Sequence, residues 1–223
     1  QAIYDDINAL DGNPGNGILD AVPKLYDVWN HPTVVGALAS LLGHDYEMNA
    51  HRHCHTKPAG SGYMRWHQDS TNQRHHEIRV CLGMYYPQDV TPNMGPTIVV
   101  PGTQYRNAPT DRMQHYTNIR GQVPVVVEAG TIAITHYDIW HATGANSSDR
   151  ARHMLKFLFR RASHPTGPAW NHDPAKVDEL RAMVGNMPAV ACSQSDNYKE
   201  RSLRRHTLDH MLGLLQPAEP VQA

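Results

Sequence analysis

The chain has 223 residues and a formal net charge of −1, enough for one domain with a real core. No basic excess points to nucleic acid and no acidic run suggests a tail, and no apolar run approaches the roughly 20 residues of a membrane span. Cys54, Cys81 and Cys192 form no CxxC pair and are expected to be free thiols of a reducing compartment, which points to the cytoplasm.

Residues 1–17 are expected to be loop, because Asp11 through Gly17 is dense in turn formers. Ile18, Val22, Leu25 and Trp29 predict a helix over 18–29. His31-Pro32-Thr33 opens a second helix carrying Val34, Leu38, Leu41 and Leu42, with Gly43 at its C-cap. From about 44 to 161 the pattern changes to short alternating runs at 45–56, 62–69, 77–86, 96–100, 123–127, 131–136 and 151–160, separated by Gly, Pro and Asn. Such runs predict a β-sandwich or barrel. Residues 92–96 form a turn or hairpin, and the long polar segment 103–120 is expected to be a binding loop or lid. Helices return over 162–223. Asp173-Pro174 fits N-cap and N1, and a last helix near 197–215 buries Leu208, Met211, Leu212 and Leu215. Its Lys199, Arg201, Arg204 and Arg205 are expected to form a solvated face. One domain over 1–223 is expected, with helical ends (1–43 and 162–223) around a β core.

Within the β core, Trp66-His67-Gln68-Asp69 places a histidine and a carboxylate two apart, and on a strand such side chains point the same way. A third ligand must come from elsewhere. His141, after the strand-like run Gly130–Thr135 and before Ala142–Asn146, is placed at a strand-to-loop junction. Two histidines and one carboxylate make a metal face with open positions, suited to non-haem Fe(II). An HxD triplet alone arises by chance, so the weight lies on the combination with His141 and Arg152. There are competing clusters. His51, His53 and His55 alternate along one strand, His75-His76-Glu77 is compact, and His136-Tyr137-Asp138 repeats the HxD pattern. The last is expected to belong to the turn delivering His141. The sixteen histidines against two phenylalanines are an oddity that proves nothing alone.

Three pieces in order carry a resemblance. They are Gly62–Asp69, then Asn93-Met94-Gly95-Pro96 through Pro101-Gly102-Thr103-Gln104, then Gly130-Thr131 through His141 and Ala142–Ser148 to Arg152. With them the chain resembles the phytanoyl-CoA dioxygenase family of Fe(II)/2-oxoglutarate oxygenases over roughly residues 30–160, with an extra Met94 and with Gln104 where the family usually has His. The resemblance implies a mainly β fold with flanking helices, a double-stranded β-helix or jelly-roll, cupin-like barrel. It implies Fe(II) on His67, Asp69 and His141, with Arg152 and Thr143 holding the C5 carboxylate of 2-oxoglutarate. Arginine suits that task because its planar fork grips a carboxylate in two places. The co-substrates would be 2-oxoglutarate and O2, the products succinate, CO2 and a hydroxylated small molecule. Related halogenases carry a small residue where Asp69 stands, so Asp69 argues for hydroxylation. Tyr63 and Arg65 share the parity of His67 and Asp69, and Arg79 and Tyr85 lie in a neighbouring run. All four are candidate substrate contacts, against the plain alternative of a solvent face. The expected partner is a small-molecule substrate, with neither nucleic acid nor membrane. Competing readings are a cupin-like metalloenzyme that does not use 2-oxoglutarate and a non-catalytic β-barrel binding protein.

Overall fold

The computed structural model describes residues 1–69, 77–105, 113–163, 170, 172–187 and 194–215. Among these residues six α-helices flank eight strands: α1 Ala2–Asn8, α2 Ile18–Ala21, α3 Leu25–Trp29, α4 Pro32–Leu42, α5 Val177–Asn186 and α6 Gln194–Met211. The strands are β1 Glu47–Lys57, β2 Met64–His67, β3 Val80–Tyr86, β4 Thr97–Val100, β5 Val123–Pro124, β6 Thr131–His136, β7 Trp140–Thr143 and β8 Arg152–Arg160. They form two four-stranded antiparallel sheets, β1-β8-β3-β6 and β2-β7-β4-β5. Most consecutive strands alternate between the sheets, the jelly-roll pattern expected. Among the described residues no helix is long and apolar enough to cross a membrane.

Strand parity assigns the faces. On β8, Leu155, Phe157 and Phe159 join Cys54, Cys81 and Tyr85 in a cluster with Ile18, Leu25, Trp29, Leu38 and Leu42 from the N-terminal helices. Met154 and Leu158, from the other face of β8, pack with Leu82, Met84 and Tyr86. That second face looks at the smaller sheet, since the Tyr86 hydroxyl donates to Thr97 Oγ1 at 3.1 Å. The helices therefore cover the outer face of the larger sheet and leave its inner face to the space between the sheets.

Several local expectations change. Residues 2–8 are helical rather than loop, because Tyr4 and Ile7 bury one helical turn apart and the Tyr4 hydroxyl donates to Ala151 O. The expected 18–29 helix is broken into α2 and α3. Val22 is pushed to φ −133°, ψ 76° by the following Pro23, which disfavours the helical region in its predecessor. His141 lies inside a strand, β7, rather than at a strand-to-loop junction. The strand over 123–127 shrinks to β5, with Val127 making an isolated bridge to Val90. Arg204 is buried and bonds Glu200, so only Lys199, Arg201 and Arg205 of that set are exposed. The α4 caps and the Asp173-Pro174 cap are as expected: the His31 side chain accepts from Thr33 N, Gly43 has φ 93°, and Asp173 accepts from Ala175 N. Cys54 and Cys81 are free and buried. His75, His76, Cys192 and residues 106–112 of the expected loop lie outside the described residues.

The seam between helices and sheet is tight. Trp29 stacks on Phe157 and Phe159 at centroid distances of 4.6 and 5.2 Å, over Gly83 of β3. A Cβ at Gly83 would lie 2.8 Å from two Trp29 ring carbons and 3.1 Å from Phe159. Gly83→Ala is therefore expected to cost about 1–3 kcal/mol by overpacking, read by chemical denaturation; an unchanged midpoint would show that Trp29 moves aside freely.

Candidate metal centre

His67 ends β2 and pairs directly with His141 on β7. This cross-strand register sets the two rings 4.1 Å apart. The Nδ1 of His67 lies 2.9 Å from Arg65 O, and that of His141 lies 2.9 Å from Ile139 O. A carbonyl only accepts, so each Nδ1 carries the proton, and in the neutral ring the lone pair is left on Nε2. Both Nε2 atoms face Asp69 Oδ1, at 3.7 Å from His67 and 3.8 Å from His141. These distances are too long for hydrogen bonds. Gln68, between His67 and Asp69, donates to Asp138 O at 2.9 Å and ties the β2 end to the turn that leads into β7.

Three ligand atoms from His67, Asp69 and His141 thus converge within 4.8 Å of one another. Two atoms each about 2.1 Å from one ion at a right angle stand about 3 Å apart, so closure by about 1 to 2 Å would bring all three onto one cation. Burial, then neighbouring His67, pushes the His141 pKa down to about 4 against the opposing pull of Asp69. His141 is consequently a neutral ligand at neutral pH. Burial works against the Asp69 carboxylate, but His141, the Lys156 hydrogen bond and charge, and His67 outweigh it and lower its pKa. A neutral His141 and an ionised Asp69, with His67 beside them, suit a divalent ion.

Arg152, 1% exposed, begins β8 on the inner face. Its Nη2 donates to Gly95 O at 2.8 Å, while Nε and Nη1 are buried and find no partner among the described residues. Two unpartnered guanidinium N–H groups in a dry site call for an acceptor, and a carboxylate fits their geometry. Thr143 is buried on β7, two residues beyond His141 and so on the same strand face. Gly95 explains the glycine in the Asn93–Pro96 segment: its φ is 65°, and a Cβ would meet Lys57 at 2.5 Å and Gly144 O at 2.8 Å.

The competing clusters separate from this group. His51, His53 and His55 stack along β1 at 4.9 and 4.4 Å between rings, yet the triad is the one metal-capable group among the described residues. His136 and Asp138 pair at 3.6 Å within the turn before β7, as expected. The four proposed substrate contacts scatter. Tyr63 is 67% exposed; Arg65 is exposed and reaches Gln114 at 3.5 Å. Arg79 is exposed and pairs with Glu77 at 3.2 Å. Tyr85, expected beside the substrate, is turned to the helix-side cluster, because its odd parity on β3 directs it to the outer face.

Three further residues stand close to this group. Gly95 supplies the carbonyl that seats Arg152. Lys156, buried on β8, donates to Asp69 Oδ2 at 2.6 Å. His55 is registered against Met154, between the positions of Arg152 and Lys156, and its buried Nε2 has no partner among the described residues. Burial first, then His53, Lys156 and Arg152, push the His55 pKa down to about 4. An unfolded histidine near 6.5 takes up its proton before the folded one does. Stability from His55 is therefore complete above about 6.5 and is lost as pH falls toward 4. His55→Gln is expected to lower the slope of unfolding free energy against pH in that window by about one proton; an unchanged slope would place His55 in water.

The family model for phytanoyl-CoA dioxygenase (PhyH) matches residues 10–154. The uncharacterized proteins Rv1501 of Mycobacterium tuberculosis and Mb1539 of Mycobacterium bovis are each 32% identical over 79 residues, 35% of this chain. That match spans 28% of each relative's length. Among solved structures, AviO1 from Streptomyces viridochromogenes superposes with TM-score 0.56 at 18% identity, covering 72% of this chain and 74% of its own. The non-heme monooxygenase ThoJ gives 0.54 at 19%, covering 85% and 77%. The epimerase SnoN, in complex with Fe3+, alpha ketoglutarate and nogalamycin RO, gives 0.54 at 20%, covering 73% and 72%. At these identities the likeness establishes a shared fold. With the family model covering most of its length, this chain belongs to the phytanoyl-CoA dioxygenase family.

Proposed function

We propose that residues 1–223 act as one oxygenase domain, a non-haem Fe(II)/2-oxoglutarate-dependent dioxygenase that hydroxylates a C–H bond of a small organic molecule. One observation carries the reading: with both Nδ1 atoms held at backbone carbonyls, two Nε2 atoms and a carboxylate oxygen converge within 4.8 Å of one another. Three acceptors in a partly dry site repel unless a cation joins them. The two-histidine, one-carboxylate set fits Fe(II) with open positions. Bound there, iron with 2-oxoglutarate and O2 supplies oxidative decarboxylation to succinate and CO2 and an oxidant for the substrate.

The chain's own residues then have distinct tasks. His67, Asp69 and His141 hold the metal. Arg152 offers its unpartnered Nε and Nη1 to the C5 carboxylate of 2-oxoglutarate, with Thr143 beside it, and Gly95 O fixes the guanidinium plane. This pair of open donors favours 2-oxoglutarate over a cupin-like centre that does without it. The covered outer face of the larger sheet keeps water from the back of the site. Tyr63 and Arg65 stand at the exposed end, near the strand that bears His67, and are the candidate rim contacts for substrate. That SnoN is an alpha ketoglutarate-dependent epimerase shows that this fold hosts outcomes other than hydroxylation; Asp69, filling the third ligand position, supports hydroxylation here over halogenation.

The test is succinate formation from 2-oxoglutarate in air with Fe(II). Wild type is expected to form it, and Asp69→Ala to lose at least about 100-fold. Arg152→Gln is expected to raise the KM for 2-oxoglutarate about tenfold or more with a smaller change in kcat. Undiminished succinate formation by Asp69→Ala would sink the ligand assignment.

A further inference from the structure

The two oxygens of Asp69 face different partners. Oδ1 looks at the Nε2 atoms of His67 and His141, at 3.7 and 3.8 Å. Oδ2 accepts from Lys156 Nζ at 2.6 Å. Lys156 is 8% exposed and is registered between His53 of β1 and Met84 of β3, so strands on both sides fix its backbone. Its ammonium also lies 5.7 Å from the centre of the Tyr137 ring. We propose that Lys156 is a positioning residue that reserves Oδ2, so that Asp69 gives the metal a single oxygen. The proposal rests on the metal-centre reading above.

The physical argument concerns coordination number. A carboxylate binds a cation through one oxygen or through both. Through one, the three protein ligands leave three of six positions, enough for a two-atom chelate by 2-oxoglutarate and one position for O2. Through both, only two remain, and the chelate fills them. The lysine holds the first arrangement for two reasons. The ammonium–carboxylate bond is short and charge-assisted. Rotating Oδ2 onto the metal would strand a buried ammonium without its partner, which is strongly unfavourable. Tyr137 offers only a ring face as a substitute. Lys156 follows Arg152 by four residues on the same face of β8, so one strand would both anchor the co-substrate and set the denticity of the metal ligand.

Two measurements test this. The first needs no variant: a structure of wild type loaded with Ni(II) should show one Asp69 oxygen on the metal and the other on Nζ. Both oxygens on the metal would overturn the proposal. The second compares wild type, Lys156→Met and Lys156→Arg as Fe(II)·2-oxoglutarate complexes titrated anaerobically with nitric oxide, following the S = 3/2 EPR signal. Lys156→Met keeps most of the side chain's length and removes its charge. It is expected to bind iron yet to need about tenfold more nitric oxide than wild type, while Lys156→Arg behaves as wild type does. Matching titrations with iron bound in all three would overturn the proposal. Loss of iron from Lys156→Met would also overturn it, in favour of bare structural support of Asp69. A wild type with one-oxygen Asp69 that forms no succinate would support the lysine's role and remove the oxygenase reading, so the two failures are distinct.

Discussion

The arrangement depends on one constraint: His67, Asp69 and His141 bring three ligand atoms within 4.8 Å of one another. The backbone carbonyls of Arg65 and Ile139 accept hydrogen bonds from the two Nδ1–H groups and so turn both Nε2 atoms toward Asp69. Because each carbonyl lies two residues before its histidine, the anchor is local to the strand and does not depend on distant packing. The direct pairing of His67 with His141 then sets the ring spacing, and Gln68 holds the end of β2 to the turn that feeds β7. Such a cluster is unfavourable when empty of charge and favourable around a divalent ion. The cost of assembling it is carried by the rest of the fold.

The jelly roll divides the labour between its sheets. The smaller sheet presents the acceptors, His67 and His141, with Asp69 just past β2. The larger sheet presents the cations on the inner face of β8, Arg152 and Lys156, and the imidazoles of His53 and His55 on β1. The larger sheet can hold such groups because its outer face is sealed. Trp29, Leu38 and Leu42 lie against Leu155, Phe157 and Phe159, so three alternate residues of β8 are deep apolar anchors. With β8 pinned in this way, the long side chains between those anchors keep fixed origins. A cation on a flexible loop would lose more freedom on engaging its partner.

Part of this was legible in the sequence. Side chains two apart on a strand share a face, so His67 and Asp69 could be paired on the page, and the ordered set through Arg152 supplied His141. Other features depend on contacts that no short window contains. Strand β7 is four residues long, too short for a periodic signal, so His141 was placed at a junction rather than in the ladder. Helix α1 is held by Tyr4 reaching Ala151, a contact across most of the chain. Pro23 was visible, and the break it forces between α2 and α3 follows from pre-proline sterics; the apolar spacing across it had outweighed that signal. Tyr85 needed the absolute assignment of faces, because alternation alone does not say which face is which. Lys156 and the buried Arg204 look like ordinary surface cations until their partners, Asp69 and Glu200, are placed in space.

The most direct test of the account is an anaerobic titration of the Fe(II)-loaded protein with 2-oxoglutarate, watching the weak visible metal-to-ligand charge-transfer band. The account predicts a band in wild type that saturates at one equivalent of co-substrate per iron, and no band with Zn(II) in place of iron. Iron bound at one equivalent with no band at any concentration of 2-oxoglutarate would contradict it, since His67, Asp69 and His141 would then hold a metal that leaves no chelating positions open.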